Sequence, residues 1–185
     1  MALTYSNMMA LGTEAPDFAL PDTVSGVTMT FADIAGRAGT VVMFVCNHCP
    51  YVKHVNPELV HIARDYAPRG IGFVAISSND IEHYPEDAPE KMKAVALEVG
   101  YPFPYLYDES QGVARIYQAA CTPDFYLFDA ARRLVYRGRL DASTPGNGLP
   151  LNGQDLRAAI DAVISGSSVA ARQDPSMGCN IKWRA

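Results

Sequence analysis

The sequence predicts an α/β fold, a three-layer sandwich in which a central mixed sheet carries helices on both faces. Short apolar runs at 40–45 and 71–76 have the length and composition of buried strands. Between them, apolar residues recur at spacings of three and four over 52–66, which is the pattern of an amphipathic helix. Two parallel strands joined by a helix form a unit whose helix covers one face of the sheet.

The second half of the chain predicts the elements that complete this sandwich. Pro89 suits the first turn of a helix that Gly100 ends. Asn152 is expected to cap the last helix and Gly166 to stop it. Two apolar segments that flank a polar connection predict a β-hairpin. The predicted elements are helices over 87–99, 111–117 and 153–165, and hairpin strands over 125–128 and 134–138.

Length and composition predict one domain with a tail. A chain of 185 residues with 49% hydrophobic content can bury one sizeable core, which we assign to residues 1–166. The composition changes at residues 165–168. We therefore predict that residues 167–185 form a C-terminal tail that is irregular from Val169 onward and packs on the domain.

Charge and hydropathy argue against several classes of function. A net charge of −5 disfavours nucleic acid or an anionic membrane as a main partner. Residues 1–12 lack the charged and apolar regions of a signal peptide, and no segment approaches the roughly eighteen apolar residues of a membrane span. We therefore expect a cytoplasmic protein. Thiols are kept reduced in that compartment, so the four cysteines are expected to be catalytic and not permanent disulfides.

The dithiol Cys46-Asn47-His48-Cys49 follows the first apolar run and carries the strongest functional signal. The spacing places two thiols one turn apart where a strand leads into a helix. The partial positive charge of a helix N-terminus favours a thiolate. We predict that Cys46 is the nucleophile and that Cys49, one turn into the helix, attacks a mixed disulfide at Cys46 and releases the reduced partner. Such a redox-active disulfide needs no other cofactor.

The alternative for a Cys-x-x-Cys pair is half of a structural zinc site. Zinc would need two further ligands, and the sequence has no second Cys-x-x-Cys. His54 supplies one further donor nearby in the chain, and Cys121, Cys179 or a distant histidine would have to complete the set. The order of strand and then helix favours redox chemistry over zinc.

Three separated motifs carry a resemblance to a known family. Residues 12–20, Gly-Thr-Glu-Ala-Pro-Asp-Phe-Ala-Leu, resemble a redoxin entry sequence; residues 46–49 are the dithiol, and Thr122-Pro123 resembles a cis-proline position. In this order the chain resembles the thioredoxin-fold redoxins, which include TlpA-type thiol-disulfide oxidoreductases and alkyl hydroperoxide reductase/thiol-specific antioxidant (AhpC/TSA) proteins. It is most similar to uncharacterised thioredoxin-like proteins with a Cys-Asn-His-Cys-Pro-Tyr stretch and a C-terminal Gly-Cys-Asn-Ile-Lys-Trp.

The resemblance implies a fold, an activity and partners. The fold would be a thioredoxin-like sandwich with an N-terminal redoxin extension. The activity would be exchange of the dithiol with disulfides of proteins or small molecules. The expected partners are a disulfide-bearing protein or small thiol substrate and an upstream reductant such as a thioredoxin reductase or glutathione system.

The resemblance also assigns roles around the dithiol. A cis bond between Thr122 and Pro123 would leave the Thr122 backbone exposed near the cysteines, where it could pair with an extended substrate. His48 stands where strongly oxidising disulfide catalysts carry an active-site histidine. A donor or positive charge there would stabilise the Cys46 thiolate and make the disulfide more oxidising.

The chain also departs from the thioredoxin pattern. Thioredoxins carry a buried acid in the strand before the dithiol that relays protons, whereas no residue in 39–45 is acidic. Proton transfer would then use water or another group. Glu58 on the following helix is a candidate, although a solvated glutamate is the simpler interpretation.

A peroxiredoxin-like thiol peroxidase is the rival enzyme. The Thr-x-x-Cys motif of that family would make Cys49 the peroxidatic cysteine, and Cys46 then occupies the position of the threonine. Cys46 is the other candidate for the peroxidatic cysteine. An arginine that normally lies beside that cysteine is replaced by Thr122 and Pro123. Both losses remove groups that orient peroxide, so the sequence favours disulfide exchange.

Two further cysteines and a non-enzymatic alternative stay open. Cys121 lies two residues before Pro123 and is either a redox thiol or a small buried residue. Cys179 lies in an apolar ending, and we hypothesise that the tail folds back so that Cys179 acts as a third thiol with Cys121 or Cys46. The alternative is a tail that merely packs on the domain through Trp183. The protein could instead be a redox sensor or metal-binding module whose dithiol does not turn over.

Overall fold

The structure, a computed structural model, describes residues 3–184. Over those residues the chain forms ten β-strands and five α-helices, and no helix is long and apolar enough to cross a membrane. In chain order the elements are β1 (Leu3–Tyr5), β2 (Ala19–Pro21), β3 (Thr28–Thr30), α1 (Phe31–Ile34), β4 (Gly39–Phe44), α2 (Pro50–Tyr66), β5 (Ile71–Ser77), α3 (Pro89–Val99), β6 (Tyr105–Tyr107), α4 (Gly112–Ile116), β7 (Cys121–Thr122), β8 (Asp124–Asp129), β9 (Leu134–Gly138), α5 (Gln154–Ser165) and β10 (Met177–Asn180).

Five strands form the central sheet in the order β6-β5-β4-β8-β9. β5 runs parallel to β4 and β6, whereas β8 runs antiparallel to β4 and β9. Helices α2, α3 and α5 pack on one face of this sheet, and α1 and α4 pack on the other. A mixed sheet between two layers of helices confirms the predicted three-layer α/β sandwich, and the fold is thioredoxin-like.

Strand β4 is the centre of both cores. All six of its residues are buried. Side chains alternate along a strand, so Val41 and Met43 join the core beneath α2 and α5, and Val42 and Phe44 join the opposite core. Burial on both faces produces the continuous apolar run from which the sequence predicted this strand. β4 ends two residues before Cys46 and thereby places the dithiol at the carboxyl end of the central strand.

The C-terminal tail contributes a strand to a second sheet, ordered β1-β10-β7. The prediction of an irregular tail from Val169 onward is wrong for β10, which pairs antiparallel with both neighbours. The tail residues Cys179 and Ile181 are only 4% and 1% exposed. A strand of four residues whose partners are distant in the chain leaves no local pattern, so it could not be predicted.

Two helix starts differ from the sequence prediction. α3 begins at Pro89 and not at residue 87, because residues 85–87 form a short 3-10 turn that leaves Asp87 buried before the helix. α5 has Gly153 as its N-cap, in the left-handed region at φ +63°. Asn152 is therefore not the cap residue, although its Oδ1 still accepts the Gln154 N–H at 3.1 Å.

Candidate active site

The dithiol lies between the end of β4 and the start of α2, against Thr122. The Cys46 Sγ lies 3.3 Å from Thr122 Oγ1, and the Cys49 Sγ lies 3.2 Å from the Thr122 carbonyl oxygen. Cys46 and Cys49 are 2% and 0% exposed. The peptide bond between Thr122 and Pro123 is cis, as the family resemblance implied. Thr122 therefore contacts both cysteines, so three of the predicted site residues lie together.

Cys49, and not Cys46, stands at the N-terminus of α2. The prediction that Cys46 begins the helix and that Cys49 lies one turn inside it is wrong, because Cys49 is the N-cap and Pro50 is the first helical residue. Proline lacks an N–H and has a helical φ, so it suits this first position. The intervening Asn47 and His48 form a bend outside the helix.

The hydrogen bonds around the two sulfurs determine which of them carries negative charge. Hydrogen bonding from the Cys46 thiol lowers the pKa of Cys49; the Cys179 thiol and the Val52 N–H act in the same direction, against the effect of burial. The hydrogen bond between Cys46 and Cys49 keeps the proton on Cys46. Together with burial and the nearby Asp87 carboxylate, this hydrogen bond raises the pKa of Cys46. The thiolate therefore belongs to Cys49 in the resting dithiol.

A buried aspartate that the sequence did not single out organises the dithiol loop. Asp87 is fully buried and accepts hydrogen bonds at 2.7 Å each from the Asn47 N–H, the His48 Nδ1–H and the Asn79 side-chain amide. Burial acts to raise the pKa of Asp87, but the bonds from His48 and Asn79 outweigh it and hold the pKa below its ordinary value. This carboxylate is thus charged and fixes the bend between the cysteines.

His48 lies between this carboxylate and an aromatic ring. Its hydrogen bond to Asp87 raises the pKa of His48, which favours the imidazolium form. The ring stacks on Tyr84 with centroids 5.4 Å apart, and its Nε2 is buried without a hydrogen-bond partner. The sequence predicted that His48 would stabilise a Cys46 thiolate, but the pKa of Cys46 is raised, by Cys49, burial and Asp87. The charge of His48 is instead paired with Asp87, a partner that the sequence did not reveal.

The metal alternative changes its ligands in the structure. Within residues 3–184, ligand atoms of Cys46, His48 and Asp87 lie within 4.8 Å of one another and could hold a metal ion. These are three donors of three kinds, whereas a structural zinc site has four. The zinc set proposed from the sequence is not assembled, because His54 instead contacts Ser143, with Nε2 and Oγ 2.8 Å apart.

The tail covers the backbone that was expected to meet a substrate. β10 pairs with β7 so that Cys179 stands opposite Thr122. The expectation of an exposed Thr122 backbone is wrong, since Thr122 is 3% exposed and already paired. Gly178 permits this approach: a β-carbon there would lie 2.0 Å from the Thr122 carbonyl oxygen.

Cys179 contacts the dithiol through Cys49. Their Sγ atoms are 2.8 Å apart, which is longer than the roughly 2.05 Å of a disulfide bond, and none of the four cysteines forms a disulfide. Burial, followed by the contact with Cys49, raises the pKa of Cys179. The hypothesis that the tail brings Cys179 to the site agrees with this contact, but its neighbour is Cys49 and not Cys121 or Cys46.

The two remaining candidates have structural partners. The Cys121 thiol is fully buried and donates to the Pro123 carbonyl at 3.7 Å, and burial raises its pKa. Glu58, the suggested proton relay, is held in an ion pair with Arg157 of α5 at 2.8 Å. Cys121 is therefore a buried core residue, and Glu58 is a buried, ion-paired carboxylate, so the interpretation of Glu58 as a solvated glutamate is wrong.

Comparisons with known proteins place the chain in a family. The AhpC/TSA family profile matches residues 11–137. An uncharacterised conserved protein from Geobacillus kaustophilus is 57% identical, with 100% of this chain and 97% of that chain covered and a TM-score of 0.98. A hypothetical protein from Sinorhizobium meliloti 1021 is 49% identical, with 98% and 99% covered and a TM-score of 0.96. Among curated proteins, none matches the chain.

More distant structures share the fold. A secreted Mycobacterium tuberculosis disulfide oxidoreductase homologous to E. coli DsbE is 17% identical, with 78% of this chain and 95% of that chain covered and a TM-score of 0.61. At that identity the likeness concerns the fold alone. The family match covers more than half of the chain, and together with the fold it supports a redox function. The chain therefore belongs to the AhpC/TSA family and has a thioredoxin-like fold.

Proposed function

We propose that this protein is a thiol-disulfide oxidoreductase that exchanges a Cys46–Cys49 dithiol with the disulfides of proteins or small molecules. The observation that carries the proposal is the pair itself. The Cys46 thiol donates a hydrogen bond to the Cys49 sulfur, both cysteines contact Thr122, and both lie where β4 meets the N-terminus of α2.

The pair contains its own base. In the resting dithiol the proton lies on Cys46 and the charge on Cys49. Transfer of that proton to Cys49 yields a Cys46 thiolate without help from Glu58 or water. Cys46 is the better placed sulfur for attack, because Cys49 is enclosed by Cys46, Cys179 and the Thr122 carbonyl.

The exchange then proceeds in two steps that balance. The Cys46 thiolate attacks one sulfur of the substrate disulfide, a mixed disulfide forms, and the other substrate sulfur leaves as a thiolate that takes the proton held on Cys49. Cys49, again a thiolate, attacks the Cys46 sulfur, which forms the Cys46–Cys49 disulfide and releases the second substrate thiolate. An upstream thioredoxin reductase or glutathione system would return the dithiol to its reduced form.

Catalysed reduction of insulin by dithiothreitol tests the proposal. We expect turnover by the wild type and by Cys121→Ser, a matched control that changes another buried cysteine near the site. Cys46→Ser and Cys49→Ser should both lose turnover. Wild-type activity in Cys46→Ser would refute the exchange, and stoichiometric oxidation without turnover would indicate a redox sensor.

One observation favours a second function, a thiol peroxidase. The lowered pKa of Cys49 lies on the sulfur that the Thr-x-x-Cys comparison marks as peroxidatic. Hydrogen peroxide added to the reduced protein distinguishes the two functions. Rapid sulfenic acid at Cys49, followed by a disulfide to Cys46, would establish the peroxidase, whereas slow oxidation supports exchange.

A further inference from the structure

Cys49 is the meeting point of three sulfurs. It accepts a hydrogen bond from the Cys46 thiol on one side, and the Cys179 Sγ lies 2.8 Å away on the other. A sulfur with two thiol neighbours can exchange one disulfide partner for the other. The proposed function uses only the first of these contacts.

The position of Cys179 is set by backbone pairing and not by a loose tail. In β10, Cys179 stands opposite Thr122 on one side and Leu3 of β1 on the other. The absence of a β-carbon at Gly178 allows β10 to lie close to β7. Cys179 is therefore held against the dithiol by two strands.

We propose that Cys179 is a third redox-active cysteine. It replaces Cys46 as the disulfide partner of Cys49 once the Cys46–Cys49 disulfide of the proposed function has formed. The Cys179 thiolate attacks the Cys49 sulfur, the Cys49–Cys179 bond forms as the Cys46–Cys49 bond breaks, and Cys46 leaves as a thiolate. The proton lost by Cys179 ends on Cys46. The step moves a disulfide within the chain, so it consumes no oxidant.

The electrostatic setting of Cys179 changes in the direction that this step requires. In the reduced protein, burial and then the Cys49 thiolate raise the pKa of Cys179, while the Lys182 ammonium lowers it. When Cys49 is part of a disulfide it carries no charge, so its contribution disappears and that of Lys182 stays. Cys179 is then more easily ionised than in the resting dithiol.

The step has a structural consequence. The new disulfide joins β10 to the start of α2 and ties the tail over Thr122, while Cys46 returns to the free thiol. The oxidised protein would thus exist in two forms that differ in which cysteine is free.

Tryptic digestion separates the two forms. Cleavage after Arg37 and Lys53 places Cys46 and Cys49 together in peptide 38–53, and cleavage after Arg172 and Lys182 places Cys179 in peptide 173–182. A Cys46–Cys49 disulfide closes a loop within one peptide. A Cys49–Cys179 disulfide links the two peptides, which mass spectrometry detects without ambiguity.

The full chain is oxidised with oxidised glutathione, alkylated in acid-quenched denaturant and digested without reductant. We expect the link between 38–53 and 173–182 in the wild type and in the control Cys121→Ser, and its loss in Cys179→Ser and Cys179→Ala. Those two variants should keep the loop within 38–53. Oxidised wild type that carries this loop alone, with Cys179 alkylated, overturns the proposal.

Cys46→Ser separates this proposal from the proposed function. That variant cannot exchange through Cys46, but the thiol oxidant diamide can still join Cys49 to Cys179. We expect the linked peptides there, together with their loss in Cys49→Ser. Absence of the link in diamide-treated Cys46→Ser overturns the proposal whatever the insulin assay shows.

Discussion

Gly178→Ala tests whether β10 controls access to the dithiol. A β-carbon on Gly178 would lie 2.0 Å from the Thr122 carbonyl oxygen, whereas real contacts begin at 3.0 Å. The strands must therefore separate by about 1 Å at this point. The reduced cysteines behind β10 should become more reactive, since both are almost fully buried in the closed structure.

The size of the effect follows from the strain. Overpacking of this kind costs about 1–3 kcal/mol, and about 1.4 kcal/mol is a factor of ten in an equilibrium. The strain is relieved when β10 lifts, so the population of open molecules should rise roughly 5-fold to 140-fold. Alkylation of a buried thiol follows the open population when opening is fast, and we expect its rate to rise by the same factor.

The assay follows alkylation of peptide 38–53 in the reduced, folded protein with iodoacetamide. Gly112→Ala is the control, because a β-carbon there meets only the Ser110 hydroxyl, at 3.1 Å. It should leave the rate within about twofold of wild type. A folded Gly178→Ala protein that alkylates at the wild-type rate would refute the view that β10 covers the dithiol.

Three further predictions concern the charged groups. Asp87→Asn removes a carboxylate that raises the pKa of Cys46, so the pH profile of Cys46 alkylation in the Cys49→Ser background should shift to lower pH; an unshifted profile contradicts this role. The pKa of His48 is raised in the folded protein, so its hydrogen bond to Asp87 stabilises the fold fully below pH ~6.5 and is lost as the pH rises through the pKa of the folded state. Tm should decline over this pH range, and His48→Gln should remove the decline. Burial raises the pKa of Asp124 to about 7. Stability should therefore fall by up to about 4 kcal/mol between pH ~4 and ~7, and urea unfolding of Asp124→Asn should lack this slope.

The sheet and the dithiol could be predicted because their signals are local. β4 and β5 are buried on both faces and are continuous apolar runs, and the hairpin of β8 and β9 flanks a polar turn. The two cysteines and Thr122-Pro123 are short motifs, and the fold brings them together at the end of β4. Local sequence patterns therefore sufficed to predict the central residues of the site.

The rest of the site depends on contacts between distant residues. Asp87 is the first residue of the helix predicted over 87–99, and only its hydrogen bonds to Asn47, His48 and Asn79 reveal a buried carboxylate beside the dithiol. Asn79 follows β5, the strand beside β4, and polar residues at neighbouring strand ends are the one signal that could have indicated this cluster. The contact of Cys179 with Cys49 spans 130 residues and has no local signature.

The helix α2 begins about one turn later than the sequence predicted, and the protonation states of the two cysteines differ from those predicted. The sequence placed Cys46 at the helix N-terminus, but Pro50 begins the helix and Cys49 caps it. Hydrogen bonds from the Cys46 and Cys179 thiols and the Val52 N–H place the negative charge on Cys49, so Cys46 becomes the thiol that its partner must deprotonate.

Trapping of the mixed disulfide tests the proposed exchange most directly. Reduced Cys49→Ser is mixed with a peptide disulfide, alkylated and mapped, because loss of the resolving thiol should leave the peptide attached to the protein. We expect the peptide on Cys46, within residues 38–53, and none on the Cys46→Ser protein. A peptide attached to Cys121 or Cys179 instead, or trapping on Cys49 in the Cys46→Ser protein as fast as on Cys46, would contradict it.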